Sequence, residues 1–120
     1  MLNEKSPTPR DIITFKGLTL KDNESINSLL EGHSVEFEPF VSDEMMIDYD
    51  LGEKKIIKNI NFLMDSQYCL NEYEILVSQD GYNYYKYNNN LEEGVRYVRI
   101  YSSSKTDKKL IINKLEVIYD

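Results

Sequence analysis

Hydrophobic and polar residues alternate along most of this chain. Over residues 44–51, Met45, Ile47, Tyr49 and Leu51 fall on one side and Glu44, Met46, Asp48 and Asp50 on the other, the period of two that a half-buried strand requires. Residues 55–64 repeat the pattern, grouping Ile56, Ile60, Phe62 and Met64, with Lys58 among them, against Ile57, Asn59, Asn61 and Leu63. Residues 72–78, 84–87, 94–101 and 110–119 read as further strands, parted by the polar loops 88–90 and 102–107. In the first of these, Tyr73, Ile75 and Val77 face one way and Glu74, Leu76 and Ser78 the other. Asp80-Gly81 then supplies the positive backbone angles of a tight hairpin turn into the tyrosine-rich segment. Residues 11–20, with Ile12, Ile13, Phe15, Leu18 and Leu20, read as a first strand. Residues 23–30 hold one or two helical turns, capped by Asn23 or Ser25 and ended by Gly32. Seven or eight short strands, without a helix of ordinary length or βα alternation, predict a single antiparallel β-sandwich.

At 120 residues, 41% of them hydrophobic and ten of them tyrosine, the chain suffices for one core between two sheets. Residues 11–120 form the expected domain. Residues 1–10, with Ser6-Pro7-Thr8-Pro9, read as a flexible segment or interdomain linker. The formal charge of −7 argues against nucleic acid, whose binding starts from a concentrated basic surface, and against anionic membranes. The single Cys69 leaves no internal disulfide and reads as a half-buried, inert thiol. No run approaches the roughly 18 apolar residues that span a bilayer, and the N-terminus lacks an apolar signal core.

Chemistry is sparse. There is no Gly-x-Ser-x-Gly and no Gly-Lys-Ser/Thr loop, and His33 is the only histidine, which excludes sites needing two imidazoles. Among 21 acidic residues, pairs such as Asp48 and Asp50 are expected by chance on a solvent-facing strand. A noncatalytic binding module without cofactor is therefore the expectation.

The order of Leu30-Glu31-Gly32-His33, Asp50-Leu51-Gly52, Ser78-Gln79-Asp80-Gly81, the Arg96 strand and Leu115-Glu116-Val117-Ile118-Tyr119 resembles the discoidin or coagulation-factor type C family. This is the galactose-binding-like jelly-roll sandwich that includes many bacterial carbohydrate-binding modules. The resemblance covers about residues 29–119. It implies about eight strands and a carbohydrate-binding accessory module of a larger, bacterial-type polysaccharide-handling protein, with a glycan as partner and a catalytic domain of the same parent as a second. In relatives the loop after the Asp-Gly element grips the sugar, and residues 33–40 stand there. A sugar offers a flat C–H patch and a rim of hydroxyls, so Phe40 beside Glu36 or Glu38 suits it. The loops 65–68 and 101–104 are expected at the same end. That makes Phe40, Tyr68 and Tyr101 candidate stacking surfaces, and His33, Glu36, Gln67 and Ser102 candidate hydroxyl partners. The plainer alternatives are a locally hydrogen-bonded His33 and tyrosine rings that plug the core.

Three departures matter. The chain has no Trp, and it reads Asp65-Ser66-Gln67 where sugar-binding relatives often carry an Arg. Where many relatives hold calcium with a Glu, the best register places Lys114, whose ammonium opposes a dication. A Glu31–Lys114 salt bridge in place of a metal is the expectation. The missing Trp and Arg favour a rival reading, a protein-interaction or structural spacer domain with no sugar site. Membrane insertion through Phe40 and Val41 is disfavoured by Glu36, Glu38, Asp43 and Glu44 around them.

Overall fold

The computed structural model describes residues 12–39, 43–103 and 108–119. Eight strands form two antiparallel sheets: β1 (Ile12–Lys16), β2 (Val35–Phe37), β3 (Met45–Lys55), β4 (Ile57–Met64), β5 (Glu74–Ser78), β6 (Tyr85–Lys86), β7 (Val95–Ser102) and β8 (Leu110–Tyr119). One sheet has the order β1-β3-β7-β5-β6 and the other β2-β8-β4. The β-sandwich expected from the alternation is the fold.

The inward face of β3 is the one its pattern predicts, since Met45, Ile47, Tyr49 and Leu51 are all buried. They meet Val98 and Ile100 of β7 and Val77 of β5 within one core, whose other wall is Val35, Phe37, Ile60, Phe62, Leu110 and Ile112. The short helical segment is a 3-10 turn, Ile26–Glu31. The Ser25 hydroxyl accepts from the Asn27 N–H at 3.3 Å, and Gly32 ends the turn at φ 85°, the left-handed conformation that glycine adopts without a Cβ penalty.

Four expectations change. The first strand is shorter than its apolar run, ending before Gly17, and Leu20 instead makes an isolated bridge to Phe37. In the 55–64 segment Ile57 is buried and Ile56 is 45% exposed, because a register shift between Ile57 and Asn59 adds a residue out of phase. Residues 35–37 form a third strand of the smaller sheet rather than a ligand loop, pairing Val35 with Ile112 and Phe37 with Leu110. Finally, Asp80-Gly81 does not make a two-residue turn. The β5–β6 ladder holds only Leu76 with Lys86 and Val77 with Tyr85, so 79–84 is a longer loop, and of its two turn residues only Gly81 has positive φ.

Candidate functional site

The strand registers bring the ends of β4 and β7 to the same end of the sandwich, with the starts of β3 and β8. Among the described residues, the expected binding residues fall into separate groups. Glu36 lies on β2 with its carboxylate 3.5 Å from both Lys21 and Lys109, and the Lys109 ammonium also sits 4.7 Å above the Tyr68 ring. Lys109 thus joins Glu36 to Tyr68. Gln67 is exposed beside them, its N–H donating to Asp65 Oδ1 at 2.8 Å. The Tyr101 hydroxyl donates to Glu44 Oε1 at 3.0 Å, and Tyr101 and Ser102 together border a shallow groove of about 260 Å3 with Glu72, Tyr73, Glu74, Lys86 and Ser103. Ser102 is buried, and its hydroxyl donates to the Glu72 carbonyl at 2.6 Å. His33 stands apart and exposed, its N–H donating to the Ser28 carbonyl at 2.9 Å. Phe40 and Val41 lie outside the described residues.

The Glu31–Lys114 pair is corrected. Lys114 lies 3.7 Å from Glu116 Oε1, a neighbour two positions along β8, whereas Glu31 at the end of the 3-10 turn makes no ion pair with it among the described residues. Cys69 is half-buried, its thiol 3.8 Å from the Ser66 carbonyl. Among the described residues no helix is long and apolar enough to cross a membrane, and no group of three or more His, Cys, Asp or Glu side chains is placed to hold a metal.

A different feature lies on the larger sheet. On the outer face of the five-stranded sheet a depression of about 340 Å3 is bordered by Ile12, Thr14, Asp48, Asp50, Asp80, Gly81, Tyr82, Tyr84, Tyr97 and Arg99. Each part has a local cause. Asp48 and Asp50 point outward because their neighbours Ile47, Tyr49 and Leu51 are buried. Opposite them, Asp48 pairs with Arg99 and Asp50 with Tyr97 in the β3–β7 ladder. The Arg99 guanidinium meets Asp48 twice, Nε at 2.7 Å and Nη2 at 3.1 Å, and Arg96 meets Asp50 twice at 2.8 and 3.1 Å. Such fork-to-carboxylate pairs fix both partners in orientation. Arg99 also lies 4.0 Å over the Tyr84 ring and Arg96 5.0 Å over Tyr97, which orders the rings as well.

The wall opposite β1 is the 79–84 loop. Ser78 pairs with Tyr97 and so shares the outer face, yet it is fully buried because the loop folds over it. Its hydroxyl accepts the N–H groups of Asp80 at 3.2 Å and Gly81 at 2.8 Å and donates to Asp80 Oδ1 at 3.0 Å. The Asp80 carboxylate accepts the N–H groups of Tyr82 and Asn83 at 2.8 and 2.9 Å, and the Asn83 amide at 2.8 Å. At the tip of this pinned loop Tyr82 is 88% exposed. The ordered loop thus presents a flat aromatic face with a polar tip to the solvent at a fixed place, a surface on which a ligand can stack.

The electrostatics favour fixed charges. Burial raises the Asp50 carboxyl, but hydrogen bonds from Arg96 and the Gly52 N–H, together with the Arg96 charge, outweigh it and hold the group below the usual carboxylate range. The N–H groups of Asn83 and Tyr82 hold Asp80 much further below. A carboxyl whose folded pKa is depressed contributes stability above its unfolded value, about 3.9, and loses it as pH falls through the folded value. These two groups thus contribute nothing that varies between pH 5 and 8. The expected melting profile is flat across that window as far as they are concerned and declines only below about pH 4. Thermal melts in a pH series check it, and a steep loss between pH 6 and 5 would contradict it.

Alternation alone does not single out this face. Chance accounts for acidic pairs such as Asp48 and Asp50, and period two divides the tyrosines of 82–87 between faces. That division holds, but Tyr82 and Tyr84 share one parity and border the same depression. The signal the sequence does carry is two alternating acids on one outward strand face; Arg96 and Arg99, three positions apart, have opposite parity and reach that face together only because the period of β7 breaks between Val95 and Val98, both buried.

No protein-family model matches the chain, and no curated protein matches it. Among solved structures, a histidine mutant of the lectin binding domain of Lectinolysin, complexed with Lewis b, matches with a TM-score of 0.63. The match covers 97% of this chain and 96% of that chain at 11% identity. At that identity the likeness is one of fold.

Proposed function

We propose that this domain is a noncatalytic carbohydrate-binding module, and that it binds glycan on the outer face of the five-stranded sheet. The observation that carries the reading is Tyr82, 88% exposed yet seated on a loop pinned by Ser78 and Asp80 beside the oriented Asp48–Arg99 pair. The ring offers a stacking surface for the C–H face of a pyranose. The two carboxylates retain lone pairs for sugar hydroxyls, and Arg99 retains N–H donors beyond the two it gives to Asp48. Two further points support it: the fold is shared with a lectin domain solved with a glycan, and the motif order resembles the discoidin-type modules. Within that family an accessory role beside a catalytic domain of the same parent is the natural setting.

One open depression with a few rings suits weak binding, on the order of 0.1 to 1 mM. The test is a screen of the domain on a broad glycan array, followed by titration of the best glycan against Tyr82→Ala. The variant is expected to lose about tenfold in affinity, near 1.4 kcal/mol, with an unchanged melting temperature, because so exposed a ring supports no core. Silence across the array, or undiminished binding by Tyr82→Ala, would sink the proposal and turn attention to a protein-interaction role.

A further inference from the structure

If the depression takes a glycan, its chemistry also narrows which one. Resting on that carbohydrate reading, we infer that the site selects neutral glycans and rejects those bearing carboxylate or sulfate. Recognition of an anionic sugar is favoured by a cation not already neutralised, and the depression has none: Arg99 is the only basic residue among those along its border, and its charge is paired with Asp48 through Nε and Nη2. Arg96, behind Asp50, is engaged in the same fashion. With those two pairs balanced, the remaining formal charge on the border is the Asp80 carboxylate. Its loop N–H donors keep it ionised throughout the neutral and mildly acid range. A net charge of −7 over the chain adds to the same sign.

Hydrogen-bond counting points the same way. Asp48, Asp50 and Asp80 bring acceptors only, while the border's hydroxyls, on Thr14, Tyr82, Tyr84 and Tyr97, can donate or accept, so its charged acceptors outnumber its one charged donor, Arg99. A neutral pyranose supplies hydroxyl donors around its rim, whereas a carboxylate or sulfate supplies acceptors and would face oxygen with oxygen. To take Arg99 as its own two-pronged partner, it would have to displace Asp48 and leave a half-buried carboxylate without its partner.

The test uses matched tetrasaccharides of glucose, galactose and mannose, each as the neutral form and with its C6 hydroxymethyl groups oxidised to carboxylate, titrated into the intact chain at low and high salt. Neutral members are expected to bind and their oxidised partners to bind at least about threefold more weakly at low salt. That gap should shrink toward 1 M salt, where the screening length falls to about 3 Å. Equal or tighter binding of an oxidised member would overturn the inference and leave the carbohydrate reading in place. A gap that does not respond to salt would overturn its electrostatic basis. Failure of every pair to bind, neutral members included, together with silence across the broad array, would instead remove the carbohydrate reading and the inference with it.

Discussion

Phe37→Ala should cost about 3–5 kcal/mol of folding stability, the range for removing a fully buried phenylalanine from a packed core. Phe37 is 0% exposed and packs edge-on against Phe15 with ring centroids 5.7 Å apart. It also pairs with Leu110 and bridges to Leu20, so three segments lose contact together when the ring goes. Against a typical domain stability of about 5–15 kcal/mol, a loss of that size brings the urea midpoint down by roughly a fifth or more. The neighbouring residue supplies the contrast. Glu36→Gln, on the opposite face of the same strand, weakens only its pairs with Lys21 and Lys109, and pairs of that exposure are worth about 1 kcal/mol or less. Equilibrium unfolding of both variants checks the placement. A Phe37→Ala cost below about 1.5 kcal/mol, well under the range for a buried ring, would mean that residues 35–37 form a loop and not a strand.

The strand at 35–37 is illegible in the sequence for a physical reason. Val35-Glu36-Phe37 alternates correctly, but Gly32, His33 and Ser34 precede it and Pro39 follows, so three residues are left to carry a period that needs about four or more to stand out. β3 and β8 are legible because they run for 11 and 10 residues with an apolar face over most of that length. β4 is legible as a strand, but its first residues are assigned to the wrong face, since an extra residue between Ile57 and Asn59 inverts everything before it and leaves no mark in composition. The depression is hidden differently. Alternation says that Asp48 points outward, but not that Arg99, 51 positions away, lies opposite. That depends on β3 choosing β7 as its neighbour, a pairing between strands that are not consecutive. The exposure of Tyr82 is likewise set by side-chain hydrogen bonds inside its loop rather than by its own hydrophobicity.

Those loop bonds lead to the second large effect. Ser78→Ala is expected to lower glycan affinity about as much as Tyr82→Ala, roughly tenfold, although it leaves the stacking ring in place. The Ser78 hydroxyl is a three-way junction: it takes the N–H groups of Asp80 and Gly81 and gives its proton to the Asp80 carboxylate. That carboxylate in turn holds Tyr82 and Asn83. Removing the junction at a fully buried position costs roughly 1–3 kcal/mol in unmet hydrogen bonds, much of it local to the loop. Re-ordering on binding the equivalent of one freed residue, at about 1–2 kcal/mol, falls directly on affinity and amounts to about that tenfold. Amide exchange at Gly81, Tyr82 and Asn83 should accelerate in the variant while exchange in β3 and β7 stays slow. The two substitutions should also fail to add, because once the ring is gone its orientation no longer matters. A Ser78→Ala/Tyr82→Ala pair that loses about a hundredfold would show two independent contributions and would defeat the view that Ser78 acts by positioning Tyr82. Full affinity in Ser78→Ala alone, with fast loop exchange, would show that the ring binds without being held.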